Sequence, residues 1–102
     1  MKIGVDLGGS HIAIGAVDNN GKVIEKFEKR ITKTEKKNIK KTIEEYIVEK
    51  TKMLQEKYKI TSIGIAMPGT IENGVILKSV NLELKNYPLL DKLKESINIP
   101  IK

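Results

Sequence analysis

Residues 2–18 read KIGVDLGGSHIAIGAVD, and the fold follows from how this stretch turns back on itself. Ile3, Val5 and Leu7 alternate with other residues, as in a strand with one buried face. Gly8-Gly9 breaks the run, and Ile12, Ala13, Ile14, Ala16 and Val17 resume it as a second strand. Asp18-Asn19-Asn20-Gly21 follows, and these residue types tolerate positive φ and favour tight turns. Val23, Ile24 and Phe27 then begin a third strand, expected to run to about Ile31. The expectation is a three-stranded antiparallel meander with two short corners.

Beyond the meander the period changes. Thr32 and Glu35 fit a capping box, the hydroxyl and the carboxylate each accepting from the other's backbone N–H. Ile39, Ile43, Tyr46, Ile47, Leu54 and Tyr58 follow at helical spacing, which predicts a helix from about 34 to 58. Ile60 to Met67 is a short apolar run, read as a buried strand parallel to the first because a helix precedes it. Pro68-Gly69 ends it. Glu72-Asn73-Gly74 reads as a hairpin tip between Ile71 and Val75–Leu77. Residues 88–97 read as a second helix with Pro88 in its first turn, and Ile99-Pro100-Ile101 begins another strand. A right-handed crossover sets the fourth strand beside the first. The fold class is α/β, a mixed five-stranded sheet with helices packed on it.

Composition narrows the functional classes. The chain has 102 residues, enough for one domain with a real core. Aromatic residues make up only 4 %, while isoleucine supplies 16 residues, so the core is aliphatic. The absence of cysteine excludes disulfides, thiol catalysis and Cys-ligated zinc within these residues. The longest uncharged run, Ile60–Ile71, is too short to span a bilayer. Asp6 stands where a signal peptide needs apolar residues, so a soluble, cytoplasmic protein is expected. The net charge of +6 resides in residues 22–59, which hold 13 Lys/Arg and 7 Asp/Glu. Arg30 is the only arginine, and base reading leans on bidentate arginine forks, so the excess reads as a solvated lysine face rather than a nucleic-acid reader.

Two segments carry chemistry. In Asp6-Leu7-Gly8-Gly9-Ser10 two glycines allow a backbone to approach a ligand closely, and exposed N–H groups in such a turn can hold phosphate oxygens. Ser10 adds a hydroxyl, and a strand-end Asp6 can hold a hydrated Mg²⁺. A glycine pair after a strand is more often a plain hairpin turn. The segment is neither a Walker loop nor a dinucleotide fingerprint. The second segment, Gly64 to Thr70, ends a buried strand in Pro-Gly at the carboxyl edge of the sheet, where ligands of α/β proteins bind.

Asp6 through Asp18 resembles the first phosphate motif of the ROK family of sugar kinases, related open reading frames and repressors. Gly64-Ile65-Ala66-Met67-Pro68-Gly69, then Gly74-Val75-Ile76 and Ser79-Val80-Asn81-Leu82, resembles that family's strand, Pro-Gly loop and Asn-Leu segment in order. Pro88-Leu89 through Ile101 resembles the helix and strand that come next. The resemblance implies a ribonuclease-H-like, actin-like ATPase lobe, one half of a longer two-lobed protein that binds ATP and a hexose between its lobes. It implies that Asp6 assists Mg²⁺, that Gly8, Gly9, Ser10 and His11 lie against the nucleotide phosphates, and that Gly69, Thr70 and Asn81 line the sugar pocket.

The sequence departs from the family in places. Ser10 and His11 stand where members usually carry Thr and Lys, so an imidazole replaces a permanent cation. As the only histidine, His11 is more simply a strand-edge residue than a catalytic one. The family's general-base Asp, its zinc segment and its second lobe are expected beyond Lys102. The 102 residues are therefore expected to be the amino-terminal lobe of a kinase, inactive alone, from a homodimeric parent. A transcriptional regulator of the same family is the alternative, and a stand-alone sugar- or nucleotide-binding module, able to self-associate through an open edge, is a third.

Overall fold

The computed structural model describes residues 1–8, 10–66, 70–72, 74–79 and 84–101. The meander is present: β1 (Lys2–Leu7), β2 (His11–Val17) and β3 (Val23–Arg30) pair antiparallel in sequence order. Ile3, Val5 and Leu7 face the core while Lys2, Gly4 and Asp6 face out, so the alternation read in the sequence sets the sheet's two faces. The turn after β2 closes on Asp18: its carboxylate accepts from Asn20 and Lys22 N–H, both at 2.9 Å, and Gly21 takes a φ of 82°.

Thr32 opens the helical crossover with the expected capping box, Glu35 N–H donating to the Thr32 hydroxyl and Thr32 N–H to the Glu35 carboxylate. The single helix expected over 34–58 is instead two, α1 (Lys33–Lys36) and α2 (Ile39–Lys57). The reason is anchoring. No residue of α1 is buried, and Ile39 is the first that is. Without an apolar anchor the capped turn detaches, and Asn38 leaves the helical region at φ −126°, ψ 46°. From Ile39 onward the stripe is continuous, because Thr51 fills the gap between Ile47 and Leu54. Ile43, Ile47 and Leu54 are fully buried, each stabilising by about 1.5–3 kcal/mol through area removed from water. The end of α2 is tied to β3: Lys57 and Tyr58 both donate to the Glu25 carboxylate, which they hold below the usual carboxylate range.

β4 (Ser62–Ala66) runs parallel to β1, as a helical crossover requires, and gives the strand order β3-β2-β1-β4. The expected fifth strand is reduced to one parallel bridge, Ile63 to Ile101, with Ile63 N–H donating to Pro100 C=O at 2.9 Å. The hairpin after β4 belongs to a second sheet: β5 (Thr70–Glu72), β6 (Val75–Ser79) and β7 (Leu84–Tyr87), all antiparallel. β7 was not expected. Its Tyr87 is 2 % exposed and reaches α2, donating to the Glu44 carboxylate at 2.5 Å, so the second sheet is pinned to the crossover helix. Burial, more than the Glu44 contact, pushes the Tyr87 phenol far above its ordinary value. The second helix is shorter than expected. It is α3 (Leu89–Lys94), with Pro88 at its N-cap, and its start packs on Gly74, whose φ is +79° and whose missing Cβ leaves room for Leu90. No helix among the described residues is long and apolar enough to cross a membrane.

Candidate functional site

The corner between β1 and β2 brings Asp6, Gly8, Ser10 and His11 together at the carboxyl end of β1. Gly8 N–H donates to His11 C=O at 2.8 Å and closes the hairpin. This changes the role expected of Gly8, because its amide is already engaged and is not a free phosphate donor. Its lack of a Cβ still matters, since a Cβ there would lie 2.9 Å from His11 Cε1 and 3.0 Å from His11 Nδ1. The His11 ring thus lies across the open side of Gly8. Ser10 is exposed, and its C=O accepts from Ile31 N–H at 2.7 Å, which ties the corner to the end of β3. That bond fixes the backbone of Ser10, an exposed residue. Gly9 lies outside the described residues.

Asp6 is exposed and sits between Ala13 of β2 and Ala66 of β4. Two alanines leave open space around its carboxylate. No group of three His, Cys, Asp or Glu gathers among the described residues, so these residues do not form an all-protein metal cage. A single carboxylate with room for water suits a hydrated Mg²⁺ that takes its other oxygens from phosphates. The residues present therefore fit the ion in that form.

One row further along, Gly15, Gly4 and Gly64 stand side by side across β2, β1 and β4. With Asp6, Lys26 and aliphatic neighbours such as Val17, Val23 and Ile65 they line an open trough of about 520 Å³ on the face opposite α2. Gly8, Ser10 and His11 do not line it, so the corner and the trough are neighbouring features that share Asp6. Gly15 is fixed by packing, as a Cβ there would come within 2.8 Å of Glu25 C=O, whereas Gly4 and Gly64 face open space. Sequence reading missed this row. The signal was available in the parity of Gly4 and Gly64, each between two buried or half-buried aliphatic residues. At the trough's rim the Glu28 carboxylate, 2.6 Å from Lys26 Nζ, raises that ammonium above its ordinary value, and Asp6 adds to the effect.

Gly69 and Asn81 lie outside the described residues, and Thr70 opens β5 opposite Lys78.

Comparison with known proteins gives a consistent pattern. The ROK family model matches residues 2–102. A glucokinase of Thermotoga maritima is 35 % identical over 95 residues, covering 89 % of this chain and 29 % of that protein. A xylose repressor of Caldicellulosiruptor bescii is 31 % identical over 103 residues, covering 97 % of this chain and 26 % of that protein. The crystal structure of a ROK family glucokinase from Streptomyces griseus in complex with glucose and AMPPNP matches with a TM-score of 0.82 at 26 % identity, over 98 % of this chain and 31 % of that one. The chain thus spans less than a third of the length of each.

Proposed function

From the premise that this chain belongs to the ROK family and has its actin-like ATPase fold, we propose that it is the amino-terminal, nucleotide-facing lobe of an ATP-dependent hexose kinase. The observation that carries this reading is the corner itself: a strand-end Asp6 with space around it, beside a Gly-Gly-Ser turn whose Ser10 backbone is fixed and whose hydroxyl is free to meet an anion. The glucokinase relatives support the same reading.

In this proposal each residue has a limited task. Ser10 donates its hydroxyl to a phosphate oxygen, and Gly9 allows the phosphate to approach the backbone closely. Asp6 accepts hydrogen bonds from the water shell of Mg²⁺. Gly8 supplies no donor and sets the approach by admitting the His11 ring. Gly69, Thr70 and Asn81 line the sugar side. When bound, the nucleotide with its Mg²⁺ supplies the γ-phosphoryl group that passes to a sugar hydroxyl. The chain supplies binding and orientation on one side of the cleft. Phosphoryl transfer also needs a positioned base and the opposing donors, and positioning accounts for most of its acceleration. The lobe alone is therefore inactive.

A coupled kinase assay on the 102-residue chain with glucose and Mg-ATP tests this. No turnover is expected, together with saturable Mg-ATP binding by calorimetry that weakens in Ser10→Ala and Asp6→Asn. Turnover by the chain alone would refute the inactivity, and binding indifferent to both substitutions would refute the site.

The similarity to a xylose repressor favours a second reading, a regulator of the same family. Within these residues DNA contact would fall to the lysines of 22–59, which would bind without sequence preference and weaken steeply with salt. A gel shift that persists at high salt and discriminates between sequences would favour the regulator over the kinase lobe.

A further inference from the structure

β3 is an edge of the larger sheet and is eight residues long, and we propose that it is a self-recognition surface on which two copies of the chain pair antiparallel about a two-fold axis at Phe27. The argument rests on which backbone groups are free and which charges would meet.

Ile31 N–H donates to Ser10 C=O, so Ser10 and Ile31 form a hydrogen-bonded pair of the β2–β3 ladder. Hydrogen-bonded and non-bonded pairs alternate along an antiparallel ladder. In the observed register Lys29, Phe27 and Glu25 therefore direct their N–H and C=O groups at β2, while Arg30, Glu28 and Lys26 direct theirs away from the sheet. A second strand joining this edge must hydrogen-bond to Lys26, Glu28 and Arg30.

Charge then selects the register. With Phe27 on the axis, Lys26 faces Glu28 of the other copy and Glu28 faces its Lys26, both in hydrogen-bonded pairs. On the helix-side face Glu25 falls opposite Lys29, again of opposite sign. Moving the axis to Glu28 sets Glu28 against Glu28 and Lys26 against Arg30. Moving it to Lys26 sets Lys26 against Lys26. Only the Phe27 register gives alternating signs on both faces, and the required backbone parity is satisfied there. Opposite charges placed directly across a ladder stabilise it, and like charges destabilise it.

The strand's apolar end points the same way. Val23 and Ile24 are 53 % and 42 % exposed, two of the three exposed large apolar side chains among the described residues. In the Phe27 register Val23 lands beside Ile31 of the second copy and Ile24 along the stem of its Arg30. Charged residues on an edge normally keep other strands away. Here the pattern Glu25-Lys26-Phe27-Glu28-Lys29 admits one partner, its own copy, in an isologous contact.

Sedimentation equilibrium of the full chain at low ionic strength tests the proposal. A monomer–dimer equilibrium that weakens with salt is expected. Lys26→Glu and Glu28→Lys, each alone, place like charges across the axis and should weaken self-association about tenfold. An equimolar mixture of the two should associate like the original chain, as should the double reversal. Glu28→Pro deletes an outward N–H without touching the β2 ladder, and should give a monomer with an unchanged circular dichroism spectrum. A chain monomeric up to millimolar concentration overturns the proposal, as do single reversals that dimerise normally, or a mixture that fails to recover.

Discussion

The meander has two corners, and they handle their backbone amides in opposite ways. At Asp18–Lys22 the chain provides its own anion: the Asp18 carboxylate takes the Asn20 and Lys22 amides, and Gly21 N–H goes to Asp18 C=O. That corner is complete without a ligand. At Leu7–His11 no carboxylate among the described residues accepts from the turn's amides, and Asp6 is exposed on the strand before it. Gly8 donates to a main-chain oxygen, and Ser10 is exposed. One sheet therefore contains a turn closed by its own carboxylate and a turn closed by main-chain bonds alone. The contrast shows that glycine-rich turn chemistry alone does not mark a phosphate site, since the Gly21 turn has it and its amides are already taken.

The self-contained corner should be the more sensitive to substitution. Gly21 holds a φ of 82°, a region costing an ordinary residue about 1–2 kcal/mol. Gly21→Val should lower stability by about 2 kcal/mol in urea unfolding, the top of that range, since branching at Cβ adds strain. An effect below a few tenths would mean that the turn adjusts freely. Asp18→Ala should cost about 1 kcal/mol, because two exposed charge-assisted hydrogen bonds are lost. Asp18→Asn, which keeps the accepting oxygen, should recover most of it. If Asn restores nothing, the carboxylate acts through its charge rather than by accepting these two bonds.

Local signals were the ones legible in the sequence. The Asp18 turn, the Thr32–Glu35 capping box and the Ile3-Val5-Leu7 alternation each depend on residues a few positions apart, and each appears as read. The break at 37–38 was not legible, because the same capping box and stripe suit a continuous helix; only the lack of burial before Ile39 separates the two cases. β7 escaped because Leu84-Lys85-Asn86-Tyr87 carries no strand pattern. Asn86 even takes a positive φ of 51°, and the segment is held by β6 and by the reach of Tyr87 to Glu44. At the candidate site, the turn after β1 was legible in the sequence, but the direction of the Gly8 amide was not. Hydrogen-bond direction depends on the register with His11, a property of the folded pair of strands.

Gly8 and His11 offer a smaller effect that separates packing from binding. A Cβ on Gly8 would displace only the His11 ring, a mobile group, so Gly8→Ala should cost no more than about 0.5–1 kcal/mol. His11→Ala should remove the clash, so the double variant should be more stable than the sum of the two single effects. Nucleotide affinity in the double variant should match that of His11→Ala, because the Gly8 amide already serves the hairpin. A further loss of affinity from Gly8→Ala in that background would show that the bond to His11 opens when nucleotide binds.

The smallest effect bears most directly on the difference between the corners. At a Mg-ATP concentration equal to its dissociation constant, binding adds only about 0.4 kcal/mol to stability, too little for a melting curve to resolve with confidence. Amide chemical shifts separate the two corners better. Adding Mg-ATP to ¹⁵N-labelled chain should move the Ser10 resonance, because a phosphate held by its hydroxyl changes the surroundings of that N–H. Asn20 and Lys22 should stay where they are, since the Asp18 carboxylate already occupies them and would repel a second anion. Asp18→Ala sharpens the test: with the internal anion removed, the Asn20 and Lys22 resonances should begin to respond to inorganic phosphate, more weakly than Ser10. Equal responses at both corners of the unmodified chain would mean that the turns bind anions through the net positive charge of this part of the chain, and that the corner after Asp6 has no selectivity of its own.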